Sequence, residues 1–466
     1  MRSISAPAAA VLAALAAASV VADEGDWPRF LGPSSDSRSP EAPILTRWPE
    51  GGPPLVWALE VGEGYSMPSM ASGRLYHFDR HGDRARLTAR DAATGREIWR
   101  TEYPTAYTDY YGYSGGPRAS PLIDGDRVYT YGVEGRLRCH RAADGELVWE
   151  VDTVARFGVV QNFFGVGSSP AVEGDLLIAQ VGGSPPESPP IHSGEVQGNG
   201  TALVAFDKTT GAVRWTASDE LASYSSPVLA TIDGRRWGFL FSRGGLIGFD
   251  PRRGSVDFFF PWRARLLESV NAATPVVVAD RVLIAETYGP GAALLEVRPG
   301  GYEVVWQDGP RDKSLEPHWN TPVHHQGIVY ASSGRHKGNA ELRAVELATG
   351  RVRWRQGGLG RASLLYADGH LLALSEDGSL RLLEASPEAY REVASADLGK
   401  RPLTLEGRTR PLLSEPAWNA PVLSRGLLYL LGRDTLVALD LRPAVSEARG
   451  PATSPSRRTR RAPVSP

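Results

Sequence analysis

Asp91-Ala92-Ala93-Thr94-Gly95-Arg96-Glu97-Ile98-Trp99 is a stretch that this chain writes more than once. It returns as Ala143-Asp144-Gly145-Glu146-Leu147-Val148-Trp149, as Asp207-Lys208-Thr209-Thr210-Gly211-Ala212-Val213-Arg214-Trp215 and as Glu346-Leu347-Ala348-Thr349-Gly350-Arg351-Val352-Arg353-Trp354. In each copy the glycine supplies the positive φ of a tight hairpin turn. The residues after it alternate, so the tryptophan falls on a buried face of the next strand. Tryptophan recurs at Trp57, Trp99, Trp149, Trp215, Trp262, Trp306 and Trp354, with gaps from 42 residues (Trp57 to Trp99) to 66 (Trp149 to Trp215). A period of that size fits one four-stranded blade plus loops of variable length.

Two further signals keep phase with the first. A small residue and a proline open each unit: Met67-Pro68, Ser120-Pro121, Ser169-Pro170, Ser226-Pro227, Thr274-Pro275, Thr321-Pro322 and Ala420-Pro421, with Ser363-Leu364 in the remaining one. Proline at the first residue of a strand forfeits no ladder bond. A few residues later a turn leads into an apolar strand, in eight copies from Gly73-Arg74-Leu75-Tyr76 to Gly426-Leu427-Leu428-Tyr429. Eight copies in phase predict an all-β fold, an eight-bladed propeller. A seven-bladed ring would require the weakest copy, 361–398, to fold as something else. The last unit, Pro421 to about Leu441, has room for three strands only. The fourth stands at the other end, as Leu55–Val61, so the ring is expected to close through an N-terminal strand, which removes an open sheet edge.

Composition agrees. The chain has 466 residues with 51 glycines and 36 prolines, which suits short strands joined by tight turns. A formal net charge of -2 implies no nucleic-acid partner. The single cysteine, Cys139, rules out a disulfide framework and a cysteine-rich metal site, and reads as a small apolar strand residue. Arg2 followed by the apolar stretch Ala8 to Ala22 reads as a secretory signal over 1–22, cleaved before Asp23. The stretch is too short and too weakly hydrophobic for a membrane span, and no cysteine follows it to carry a lipid anchor. The expected organisation is a leader at 23–54, the propeller at 55–441 and a disordered basic tail at 442–466 holding Arg457, Arg458, Arg460 and Arg461. The expected location is periplasmic or extracellular. A closed ring needs no second subunit, so a monomer is expected.

Strand parity places a site. With strands A to D in each blade, the B–C and D–A loops emerge at one end of the ring and the A–B and C–D turns at the other. The long insertions fall mostly on the first end. The D–A loop from Thr101 to Pro117 carries Tyr103, Tyr107, Tyr110, Tyr111 and Tyr113; the next carries Phe157, Phe163 and Phe164; the B–C loop of blade 3 runs from Gly182 to Gly200. Variable loops above a rigid scaffold are where function usually resides. The residues just before each A strand should ring the channel mouth on that face: Tyr65, Arg118, Tyr224, Asn271, His318, Trp319, Asn320, Arg361, Trp418 and Asn419. Such a rim suits planar, sugar-like or anionic ligands through stacking and bidentate hydrogen bonds. Equally, the asparagines could tie neighbouring backbones and the aromatics could cover loops. Other chemistry is thin. His324 and His325 are adjacent and point to opposite faces of a strand. Asp124–Asp126 and Glu376–Gly378 read as turns, since no third calcium-ligating position follows. No nucleophile elbow, P-loop or helical zinc motif occurs.

The turn–strand pattern ending in tryptophan, with Ser-Pro opening each unit, resembles the PQQ-like repeat proteins over residues 55–441. Trp27-Pro28-Arg29-Phe30-Leu31-Gly32-Pro33 and Trp48-Pro49 resemble the leader of a group of secreted members. The resemblance implies eight blades with tryptophans docking neighbours. The family includes quinoprotein dehydrogenases and also non-catalytic members such as outer-membrane assembly scaffolds. Its dehydrogenases carry adjacent cysteines, a calcium-binding carboxylate–amide cluster and a catalytic aspartate; no match to these is found, so no catalytic residue, metal ligand or cofactor is carried over. The function expected is a non-catalytic binding or scaffold propeller, engaging a protein, a glycan or another ligand through its B–C/D–A face. The alternatives are a divergent oxidoreductase using PQQ with calcium, and a glycan-binding module.

Overall fold

The computed structural model describes residues 25–192 and 195–443. The signal reading over 1–22, and the tail reading beyond 443, lie outside the described residues. Eight antiparallel four-stranded sheets form the propeller, seven of them with their strands in sequence order. From A to D they are, in blade 1, Ser69–Ala71, Arg74–His81, Arg84–Asp91 and Glu97–Pro104, and in blade 2, Leu122–Asp124, Arg127–Tyr131, Arg136–Arg141 and Leu147–Asp152. Blade 3 is Ala171–Glu173, Leu176–Gln180, Leu203–Asp207 and Val213–Ala217; blade 4 is Val228–Ile232, Arg235–Phe241, Gly245–Phe249 and Val256–Pro261. Blade 5 is Val276–Val278, Arg281–Glu286, Gly291–Arg298 and Gly301–Gln307; blade 6 is Val323–His325, Ile328–Ser333, Glu341–Glu346 and Val352–Gly357. Blade 7, the weakest copy, is complete: Ala362–Ala367, His370–Ser375, Ser379–Glu384 and Glu392–Asp397. Blade 8 takes Val422–Ser424, Leu427–Leu431 and Thr435–Asp440 from the C-terminal end and Leu55–Glu60 as its D strand. That last strand runs antiparallel to its neighbour, Leu55 opposite Leu439 and Glu60 opposite Thr435. A small hairpin, Pro402–Leu405 with Arg408–Pro411, is inserted between blades 7 and 8.

In every blade the C–D ladder slips register beside one D-strand position. That position holds Trp57, Trp99, Trp149, Trp215, Phe258, Trp306, Trp354 and Ala394. Trp262, counted above with the repeat, is therefore out of phase. It follows the D strand of blade 4, and its indole lies on Phe260 with centroids 5.4 Å apart. Phe258 holds the repeat position because it stands four residues after the turn glycine, Gly254. The in-phase tryptophans dock on the next blade: Trp57 Nε1 donates to Ala92 O at 3.0 Å, Trp99 to Ala142 O at 3.1 Å, Trp149 to Lys208 O at 3.1 Å and Trp306 to Leu347 O at 2.8 Å. Each indole covers a turn glycine. Gly145 shows why: its φ is +78°, and a Cβ there would come within 2.6 Å of the Trp99 ring.

The Ser-Pro step has a second role besides sparing the ladder. Ser120 N donates to Ser169 Oγ (2.9 Å), Ser169 N to Ser226 Oγ (2.9 Å), Ser226 N to Thr274 Oγ1 (3.3 Å) and Thr274 N to Thr321 Oγ1 (3.1 Å). These hydroxyls form a buried belt tying blades 2 to 6. At the matching positions blade 8 has Ala420 and blade 1 has Met67. Ser169→Ala strands the Ser120 amide without an acceptor and should lower stability by about 1–3 kcal/mol. Ser169→Thr keeps the hydroxyl and should recover most of it; urea denaturation of the pair reads the difference.

The leader crosses the A–B end of the channel. Trp27 exchanges backbone hydrogen bonds with Met70 (2.9 and 2.8 Å), Ile123 N donates to Pro28 O (2.8 Å), Ser37 and Ser39 flank Tyr366 (2.9 and 2.8 Å), and Leu45 N donates to Leu441 O (2.6 Å). It thus touches blades 1, 2, 7 and 8. Its bend is tight enough to place Leu31, Ser35 and Ser37 at φ near +61°, +56° and +56°. Trp27, 1% exposed, is its anchor.

Buried His140 braces the turn that seats Trp99, its Nδ1 lying 3.1 Å from Gly145 O. Burial pushes its pKa down to about 4, with the Arg138 charge acting in the same sense. The unfolded chain takes up this proton near pH 6.5, before the folded chain can. Stability from this group is therefore complete above that pH and falls as the pH drops toward about 4, by ~1.4 kcal/mol per pH unit. His140→Asn keeps a donor without the titration. Its denaturation midpoint should depend less steeply on pH between 6.5 and 4 than that of the parent.

Candidate functional site

Where the B–C and D–A loops emerge, the channel opens into a cavity of about 500 Å³. Nine of the ten residues singled out for the channel mouth line it: Tyr65, Arg118, Tyr224, His318, Trp319, Asn320, Arg361, Trp418 and Asn419. Strand parity brings them together, because each closes a D–A connection. Asn271 is not among them. It is 1% exposed, and its amide donates to Ser242 O at 2.7 Å, tying backbone instead of facing the channel.

The wall is an arc of rings. Centroids lie 5.6 Å apart for Tyr288 and His318, 5.1 Å for His318 and Trp319, 5.1 Å for Trp319 and Trp418, and 5.1 Å for Trp418 and Tyr65. The arc continues through Tyr113, Tyr111 and Phe164 to Tyr224. The tyrosine-rich stretch expected as a loop from Thr101 begins inside the D strand of blade 1, which runs to Pro104, and it divides its labour. Tyr103 is buried, donating to Glu134 at 2.6 Å, whereas Tyr110, Tyr111 and Tyr113 are exposed, the last to 60%. Behind the rim, Phe163, Ile191 and Val270 from three loops bury one another and hold those loops in place.

The polar groups of the wall are largely engaged. Arg118 pairs with fully buried Asp109 at 3.0 Å and spends further N–H groups on the carbonyls of Ser114 and Gly116. Arg361 grips both carboxylate oxygens of Glu376, at 3.0 Å through Nε and 2.5 Å through an amino group, and lies 4.6 Å from the Trp319 ring centre. Glu376 is buried, but Arg361 beside it keeps its pKa below the usual carboxylate value. Trp418 Nε1 also donates to Glu376 at 3.3 Å, and Trp319 Nε1 to Trp418 O at 2.8 Å. His318 has Tyr288 Oη 2.9 Å from Nε2 and an Arg361 amino group 3.4 Å from Nδ1. Burial first, then the Arg361 and Arg335 charges, pushes its pKa down to about 3, so it is neutral at physiological pH. Asn320 donates to Ser332 O at 2.7 Å. Asn419 has its Nδ2 buried without a partner.

Sequence reasoning missed several lining residues. Tyr288 and Arg335 stand on short B–C loops that showed no insertion, and Glu268 stands in an unremarked D–A loop. Phe30, Leu31 and Ser37 reach the cavity from the leader and form part of its floor. The resemblance of Trp27-Pro28-Arg29-Phe30 to a family leader gave it no place in the site.

The residues present do not fit a calcium-bound quinone. Among the described residues no three His, Cys, Asp or Glu side chains come together to hold an ion. Glu268 is the one carboxylate lining the cavity. The free thiol, Cys139, is buried in the sheet of blade 2. Two of the guanidiniums that a carboxylated quinone would need are already paired. Among the described residues no helix is long and apolar enough to cross a membrane.

A family model described as outer membrane protein assembly factor BamB matches residues 83–356 and 297–388. None of the curated proteins matches the sequence. Among solved structures, BamB from Moraxella catarrhalis is similar with a TM-score of 0.54 at 14% identity, covering 83% of this chain and 97% of its own. The computationally designed Ika8 protein gives 0.53 at 10% identity, covering 84% of this chain and 100% of its own. A quinohemoprotein alcohol dehydrogenase from Pseudomonas putida HK5 gives 0.48 at 15% identity, covering 93% of this chain and 82% of its own. At these identities the structural likeness concerns fold alone. The family match, by contrast, runs over more than half of the chain and coincides with repeats found in the sequence itself, and on that ground the chain belongs to the BamB-like family of PQQ-like repeat propellers.

Proposed function

We propose that this chain is an exported, non-catalytic β-propeller that captures a partner or ligand at the B–C/D–A end of its channel. One observation carries the reading: the cavity is preformed, and its ionisable wall groups are largely spent on one another. His318 has a partner at both ring nitrogens, and Arg118 and Arg361 are held by buried carboxylates. Such a wall presents shape and aromatic surface but places no evident proton donor or acceptor against a reacting bond. The signal-like start at Arg2 and Ala8–Ala22 supports export. A glycan is the second reading, favoured by the unpartnered Asn419 amide and the exposed rings of Tyr111 and Tyr113, which line the same cavity.

The test uses Tyr111→Ala combined with Tyr113→Ala, since both side chains are well exposed and their loss leaves no buried group unpaired. Arg118 is avoided because its removal abandons Asp109. Cross-linking in an extracellular or envelope extract should capture a partner on the parent and lose it on the double variant, with the thermal transition unchanged. Glycan-array binding lost in the same variant would favour the second reading. Capture undiminished in the variant would overturn the assignment of this face. Export has its own readout: the secreted chain should begin at Asp23 on N-terminal sequencing.

A further inference from the structure

The charges around the cavity cancel. Three guanidiniums line it, those of Arg118, Arg335 and Arg361. Asp109 and Glu376 answer two of them from behind the wall, and Glu268 shares the mouth with Arg335, which lies over the Tyr288 ring at 4.6 Å. An anion entering such a site finds two of its three cations already satisfied. To recruit them it would have to separate buried ion pairs and leave a carboxylate alone in an apolar setting, which costs several kcal/mol. An uncharged ring system meets no such penalty. The aromatic arc offers it offset and edge contacts, and Phe30, Leu31 and Met67 give it an apolar floor. Deep in the wall, Asn419 keeps one donor, Nδ2, without an acceptor.

Resting on the binding reading above, we propose that the cavity is a site for an uncharged aromatic or polycyclic ligand, and that it discriminates against anions. Selectivity then comes from Asp109 and Glu376, which face away from the ligand and silence the cations. Removing one of these carboxylates should convert the site toward anion binding.

Two fluorescent probes with the same ring system test this on the full chain: neutral N-phenyl-1-naphthylamine and its sulfonated counterpart, 8-anilino-1-naphthalenesulfonate. The neutral probe should bind saturably at one site, about tenfold or more tighter than the anion. Ala272→Trp, at a half-buried wall position, should fill the cavity and abolish that binding. Glu376→Gln should raise affinity for the sulfonate about tenfold while leaving the neutral probe near its parental value. If that variant fails to fold, the ratio of the two probes on the parent chain still decides. Absence of saturable binding by either probe, or binding untouched by Ala272→Trp, overturns the site and the inference together. Sulfonate binding as tight as that of the neutral probe overturns the charge selectivity alone and leaves the site standing.

Discussion

Trp27→Ala is expected to destabilise the fold by about 3–5 kcal/mol, the range for truncating a fully buried aromatic. The indole is the anchor of the leader. Gly32 folds back over it so closely that a Cβ there would come within 2.9 Å of the ring, and the Trp27 backbone is locked to Met70 of blade 1. The segment beyond Trp27 holds three non-glycine residues at positive φ, a conformation that persists only where surroundings enforce it. Without the indole that enforcement goes, and the leader should release as a unit. Urea denaturation gives the stability loss. Limited proteolysis should reveal new cleavage between residues 27 and 45 while blades 2 to 6 stay resistant. Trp27→Phe should restore part of the loss. A variant as stable and as protease-resistant as the parent would show that the leader is only draped over the ring.

Glu376→Ala should be comparably severe, about 3–5 kcal/mol, because it leaves Arg361 half-buried against two indoles with no counter-charge. Trp418 loses its acceptor in the same stroke. The informative comparison is Arg361→Met with Glu376→Leu. Replacing both partners with apolar groups of similar volume should cost far less than removing one. A double-mutant cycle by chemical denaturation separates the coupling from the packing. Additive losses in that cycle would mean that the two side chains are neighbours without being partners.

The fold was legible because its repeat rests on local necessities: a glycine where φ must be positive, a proline where no ladder bond is lost, a tryptophan at the right parity. Blade 7 carries the weakest copy, with Ala394 in place of the tryptophan, yet its turn and apolar strands suffice. Trp262 misled because residue type was read without counting from the turn; four residues after Gly254 stands Phe258. Of the site, parity alone places the D–A residues at one mouth. It cannot tell which side chains turn inward, and Asn271 spends its amide on backbone. Nor could the carboxylates behind Arg118 and Arg361 be foreseen. Glu376 read as a plain turn residue, and its pairing depends on how the B–C turn and the D–A loop of blade 7 pack. The leader was least legible, since it has no period of its own.

The pairing of Leu55 with Leu439 also sets a timetable. During synthesis Leu55–Glu60 emerges first and must remain without its neighbour until nearly the last described residue has been made. Seven blades can assemble in sequence meanwhile, each stacking on the one before it. The circle itself cannot be sealed before Thr435–Asp440 arrives. A message cut short upstream of Thr435 would therefore yield no smaller ring but a crescent with two sticky margins, prone to joining its own kind end to end.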